Sequence, residues 1–264
     1  MKARITNTLF VLAVLLCVSI QVVSIDDYLD DKRYLQDLVN RIADPSLPPS
    51  DQVKEIIAFF RDKPASTNES YYLLPMFRFL RPTARQVAEG GGDCADRSRL
   101  LVVLLRLRGI QASKWALYDE KKRPQHAVVQ VRAERGDIVV DPLFGLCFPR
   151  PDGWFFGIKD LKDDPEILRE RIRFLTRRGE RPGSLSLEHY PLNKYIYTNA
   201  RTINWDKSFG MKMLYRVMYL VAGNKVDDIP RPAFAEEPAF MVIFGLIFGE
   251  AAILLAWRLT RKRT

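Results

Sequence analysis

The chain has 264 residues, 47 % of them hydrophobic, and a formal net charge of +9. That length accommodates one domain together with membrane segments. Three scattered cysteines and two histidines exclude a zinc site, and the glycine run Gly90–Gly92 lacks the Lys and Ser/Thr of a phosphate-binding loop.

Residues 5–25 are 21 mostly apolar positions, enough to cross a bilayer. The core of this stretch is also short enough for a secretory signal, and Val22 and Ser24 suit a cleavage site, so a retained anchor and a removed signal both fit. Either way, Lys2 and Arg4 stay cytoplasmic and the chain that follows is exported. From Asp26 the composition turns charged. Leu35, Leu38, Val39 and Ile42 share one helical face that stops before Pro45, and a second helix carrying Val53, Ile56, Ile57 and Phe60 is expected with Ser50 as its N-cap. Residues 26–84 thus read as a helical N-terminal part. Its aromatic stretch 71–81 is expected to be irregular and to line a cleft beside the next segment. Gln86 reads as a solvated helix-surface residue rather than an oxyanion donor.

The chemistry is concentrated in residues 85–150. Cys94 follows three glycines and an aspartate and precedes the pattern Leu100, Leu101, Val103, Leu104, Leu107, which predicts a helix starting at Asp93 or Cys94 and ending near Gly109. The partial positive charge and free N–H groups of a helix start favour a thiolate and can hold a developing oxyanion. The glycines leave room for a substrate backbone. A strand is expected over 112–118. His126 opens the strand-like run HAVVQV, and Asp141 closes the run Ile138–Val140. The intervening AERGD is short enough for a hairpin, which brings His126 and Asp141 to the same end of adjacent strands. A carboxylate there orients an imidazole, and the imidazole in turn activates the thiol. Two other readings weigh against this triad: a Cys94–Cys147 disulfide in an oxidising compartment, and a decayed site that only binds.

These residues resemble the transglutaminase-like superfamily, a papain-like α+β fold. The family's Cys helix ends in a segment matched by Leu104, Leu105, Arg106, Gly109 and Ile110. Its His strand is matched by HAVVQV, and its acid by Val140, Asp141 and Pro142. The resemblance covers residues 85–146. It implies a helix bearing Cys94 packed on an antiparallel sheet bearing His126 and Asp141, with catalytic roles for those three residues alone. A small alanine common four residues after the nucleophile is Ser98 here. The implied activity is acyl transfer without a cofactor or metal, more often hydrolysis of a peptide or protein amide than transamidation.

Residues 151–229 read as a basic helical and aromatic extension. It contains a helix after Asp164–Pro165 with Ile167, Leu168, Ile172 and Leu175 inward and Arg169, Arg171, Arg173, Arg177 and Arg178 outward, a solvated face. His189 has no ligand or acid partner in sequence. Met211–Val221 reads as an amphipathic helix. A proline-rich linker, 230–237, leads to a transmembrane helix over 238–257 and a basic tail, 258–264, whose Arg258, Arg261, Lys262 and Arg263 mark a cytoplasmic end. Both termini are then cytoplasmic and the domain is extracytoplasmic on a plasma or inner membrane, where nucleic acid is not the expected partner. Glu250 within that helix costs about 2.5 kcal/mol or more if it faces lipid. It is expected to face protein, and with Gly245 and Gly249 it offers a surface for a partner helix. The alternative function is a silent binding or assembly module of an envelope or polymer-export complex.

Overall fold

The computed structural model describes residues 2–65, 81–121, 123–190, 196–232 and 236–261. The expected irregular stretch 71–80 lies outside these. The architecture is α+β: one antiparallel sheet with helices on both faces, and two long apolar helices beside it.

The sheet contains β1 (Ala112–Tyr118), β2 (Pro124–Ala133), β3 (Gly136–Asp141), β4 (Leu146–Cys147) and β5 (Ile196–Arg201) in the order β4-β3-β2-β1-β5. Every neighbouring pair is antiparallel. Strand alternation sorts the side chains into two cores. Val129, Val131, Ile138 and Val140 point one way, against α1 (Lys2–Ile42), α2 (Pro49–Phe60), α3 (Ala84–Gly90) and α4 (Cys94–Leu107). Trp115, Leu117, Val128 and Val139 point the other way, against α5 (Ile158–Asp163) and α6 (Glu166–Arg177). In α4, Leu100, Leu101, Leu104 and Leu105 are fully buried on the sheet. Burial at this level is worth about 1.5–3 kcal/mol per leucine, which fixes the helix and its first residue, Cys94, relative to β2.

Three local expectations change. Ser50 does not cap α2. Pro48 holds that place, Pro49 presets the first helical turn, and the Ser50 hydroxyl donates instead to Glu134 Oε1 at 2.5 Å, tying α2 to the β2–β3 turn. Residues 151–229 are not merely appended to the core. They supply α5, α6 and the strand β5, whose Tyr197 and Ala200 are both buried in the second core. The basic face of α6 is only partly solvated, since the Arg171 Nε donates to the Cys147 carbonyl and Arg169 pairs with Glu166.

The N-terminal apolar stretch and the first domain helix are one uninterrupted helix. No Gly or Pro occurs between Lys2 and Ile42, so nothing breaks α1 over its 41 residues, about 60 Å of rise. It runs antiparallel to α8 (Pro238–Arg261), with Phe10 stacked on Trp257 at 5.1 Å near one end and Tyr28 on Phe240 at 4.7 Å near the other. Both are long and apolar enough to cross a membrane, and in their most apolar windows the side chains are exposed rather than packed in a core, whereas Leu35, Leu38 and Val39 at the end of α1 are buried in the domain. The linker before α8 is anchored: Glu236 is buried and pairs with Lys114 of β1 at 3.5 Å and with Arg231 at 3.8 Å. Burial lowers the Lys114 ammonium to about 8 even with Glu236 beside it.

Candidate active site

The β2–β3 hairpin pairs Val129 with Val140 and continues in register to Ala133 and Gly136. His126 and Asp141 therefore project from the same face near the same end, within the diagonal reach of neighbouring strands. His126 Nε2 donates to Asp141 Oδ2 at 2.6 Å, with both side chains fully buried. The other carboxylate oxygen, Oδ1, accepts from the backbone N–H groups of Leu143 at 3.0 Å and Phe144 at 3.2 Å. The carboxylate is thus clamped by the turn after β3, and it clamps the ring. Burial pulls the imidazole toward its neutral form. The Asp141 charge and hydrogen bond, and contact with Cys94, outweigh this and hold His126 above its usual range.

Cys94 is the first residue of α4, half-buried, and within hydrogen-bonding reach of His126. All three predicted site residues therefore meet in one place. Asp93 caps the helix: its side chain accepts from the Asp96 N–H at 2.9 Å and also bonds the Ala95 N–H. Those two N–H groups of the first turn are therefore engaged by the cap. The glycine run serves the chain itself. Gly91 has φ +82°, and a Cβ there would collide with the Pro64 carbonyl. All three cysteines are free thiols. Cys147 packs into the opposite core from Cys94, and burial pushes its thiol up to about 12.

Several residues of the site were not found by sequence reasoning. Arg97, one turn into α4, is completely buried. It donates to the carbonyls of Gly92 at 2.9 Å, Phe60 at 3.0 Å, Lys63 at 2.6 Å and Pro64 at 2.6 Å. Burial pushes it down to about 10, with Asp141 opposing, so it stays charged at neutral pH. Ser98 Oγ donates to the Ala127 carbonyl at 3.1 Å and so ties the Cys94 helix to the residue after His126. Arg81 pairs with Asp93 at 2.8 Å and Asp96 at 3.4 Å and lies close enough to Cys94 for a direct Coulombic effect. Phe144 and Tyr190 pack edge-on to the His126 ring at 5.9 and 6.3 Å. Sequence signals existed only for Ser98, by its offset from Cys94. Gln86 is a capping-box residue, its Oε1 accepting from the Thr83 N–H at 2.8 Å. The 3-10 turn Leu187–His189 contains the second histidine.

A cleft of about 940 Å³ opens elsewhere, between the end of α4 and α5, with Arg106, Trp115, Arg132, Lys159 and Lys162 in its walls. Cys94, His126 and Asp141 do not line it. In α8, one Glu250 carboxylate oxygen is buried, whereas Gly245 and Gly249 face open space. The described residues contain no cluster of metal-ligating side chains. No protein-family model, curated protein or solved structure matches the chain.

Proposed function

We propose that the chain is a membrane-anchored, extracytoplasmic cysteine acyl-transfer enzyme of transglutaminase-like type that hydrolyses peptide or amide bonds. The observation that carries this reading is the buried His126–Asp141 pair at 2.6 Å with Cys94 at a helix start in contact with the same ring. With Nε2 committed to Asp141, Nδ1 is the nitrogen that serves the thiol. Cys94 Sγ attacks the substrate carbonyl carbon, the C–S bond forms, and the Cys94 N–H receives the oxyanion. His126 gives its proton to the leaving amine as the C–N bond breaks. Water, deprotonated by His126, then releases the acid and restores the thiol. Asp141 holds the ring and offsets the imidazolium charge throughout.

The retained anchor is favoured over a removed signal because Val22 and Ser24 lie mid-helix in α1, with Ser24 fully buried. Antiparallel α1 and α8 bring the basic ends Lys2–Arg4 and Arg258–Arg261 to one side, the cytoplasmic one by the positive-inside rule. The open Gly245–Gly249 face of α8 is the surface for a partner helix.

The test is the pH profile of Cys94 alkylation in membranes, wild type against His126→Ala. Fast labelling at pH 6 that the substitution removes supports the reading. A profile unchanged by His126→Ala sinks it.

A further inference from the structure

α7 (Phe209–Ala222) is a 14-residue helix with no buried residue. Its sequence reads as an amphipathic helix, and such a helix ordinarily turns its apolar face to the core. Here the face is reversed. Phe209, Met213, Val217, Leu220 and Val221 follow the spacing i, i+4, i+8, i+11, i+12 and form one outward stripe. Phe209 is 81 % exposed, Leu220 85 % and Val221 83 %. The inward side is held by Tyr215, which packs on Trp205 at 5.6 Å and under Arg201. Lys212 and Arg216 fall along one edge of the stripe, exposed and without an ion pair among the described residues.

We infer that α7 lies flat on the bilayer that α1 and α8 cross, with this stripe sunk into the boundary between headgroups and acyl chains. The inference rests on the reading that α1 and α8 are embedded. Three observations select a lipid surface as the occupant. Fourteen residues rise about 21 Å, short of the ~30 Å hydrocarbon core, so α7 cannot span it. It ends 16 residues before Pro238, the first residue of α8, so it is tethered close to the point where the chain enters the membrane (238 − 222 = 16). The cations on its edge match anionic headgroups, while their stems extend the apolar surface, the layout of an interfacial helix. Seated this way, α7 provides a third contact with the membrane and fixes the tilt of the domain. Two spanning helices that meet as one antiparallel pair leave that tilt free.

The experiment uses the full chain in vesicles of phosphatidylcholine with a minority of phosphatidylglycerol. A nitroxide side chain replaces Leu220, Val217 or Tyr215 in turn, attached by oxime chemistry so that the native thiols are untouched. Arg173 on exposed α6 and Leu254 in α8 serve as controls. Leu220 is nearly fully exposed, so its replacement does not threaten the fold. The expected result is collision with dissolved oxygen over a water-soluble nickel complex several-fold higher at 217 and 220 than at 173, and lower at 215. Equal access of the nickel complex to 220 and 173, with 254 protected, overturns the inference and leaves the anchoring intact. Dipolar broadening between labels at 220 would assign the stripe to a second copy of the chain and also overturns it. Nickel access at 254 removes the anchoring reading, and the inference with it.

Discussion

Asp141→Asn tests the His126–Asp141 pair more sharply than alanine does, because the carboxylate is held asymmetrically. Oδ1 accepts from two buried backbone N–H groups, at 3.0 and 3.2 Å, and Oδ2 takes His126 Nε2 at 2.6 Å. An asparagine has one oxygen and one NH2 to divide between these sides. Placing the NH2 against Leu143 and Phe144 would leave two buried donors unsatisfied, at about 1–3 kcal/mol each, so the oxygen keeps the Oδ1 side by about 2–6 kcal/mol. The NH2 then faces Nε2 and can only donate. Nε2 must accept, the ring proton moves to Nδ1, and the acceptor that Cys94 needs is gone. Asn in this position therefore behaves like His126→Ala. A free thiol with pKa about 8.5 is ~0.3 % thiolate at pH 6, so the His126-dependent gain in alkylation is at most about 300-fold, and the lower intrinsic nucleophilicity of a stabilised thiolate trims it toward about 10-fold. Iodoacetamide labelling at pH 6, followed by mass spectrometry of the Cys94 peptide, should show Asp141→Asn slowed by 10- to 300-fold on the same basis. Retention of the wild-type rate would refute the asymmetry argument.

Arg97→Met should destabilise the fold by about 3–5 kcal/mol, since it removes the donor of four carbonyls, two of them in buried contacts, and a buried charge that Asp141 opposes, whereas Arg97→Lys, a point charge without the fork, recovers only part of the loss in thermal unfolding. Ser98→Ala should cost about 1 kcal/mol, read in the same assay, and slow alkylation of Cys94 modestly because the tie between α4 and β2 is lost. Cys147 should resist iodoacetamide at pH 8 in the folded chain and react once denaturant is added, which tryptic mapping checks. Burial raises the Glu237 carboxyl to about 7, above its unfolded value of about 4.5, so its protonated form stabilises the fold below pH 4.5 and that stability is lost as pH rises through 7. Glu237→Gln should therefore match wild type in unfolding free energy at pH 4.5 and exceed it at pH 8, by up to about 3 kcal/mol.

The elements that carry their own periodicity were legible. The α4 leucines repeat at helical spacing, and AERGD between two hydrophobic runs suits a hairpin, so β2, β3 and the nearness of His126 to Asp141 are expected from pattern, while the contact itself is given by the structure. What was illegible depends on distant partners. Arg97 looks like any helix arginine until the 60–64 turn folds over it and directs four carbonyls at its guanidinium. β5 is not legible because IYTNAR is short and its apolar residues, Ile196, Tyr197 and Ala200, do not alternate; it becomes a strand by completing the edge beside β1. Glu236 sits among prolines and reads as linker, yet Lys114, more than a hundred residues earlier, takes it inside. The glycines before Cys94 read as room for substrate, yet a Cβ on Gly91 would meet the chain's own Pro64 and one on Gly92 the Asp96 side chain.

The charges around the site show why these distant partners matter to the chemistry. Asp141 is an anion in a dry core, and burying it unpaired would be prohibitive. His126 supplies one counter-charge when protonated, and Arg97 supplies another by Coulomb attraction alone, because its donors already go to four backbone carbonyls. Among the described residues the Arg97 hydrogen bonds go to carbonyls, while the carboxylate serves His126, Leu143 and Phe144. Fixing Arg97 on carbonyls keeps its charge and removes its freedom, so Asp141 remains available to His126. Arg81 is held in the same way near Cys94: Asp93 and Asp96 fix it at the helix start. Cys94, His126 and Asp141 thus sit beside two cations, Arg81 and Arg97, that are each tied to other groups.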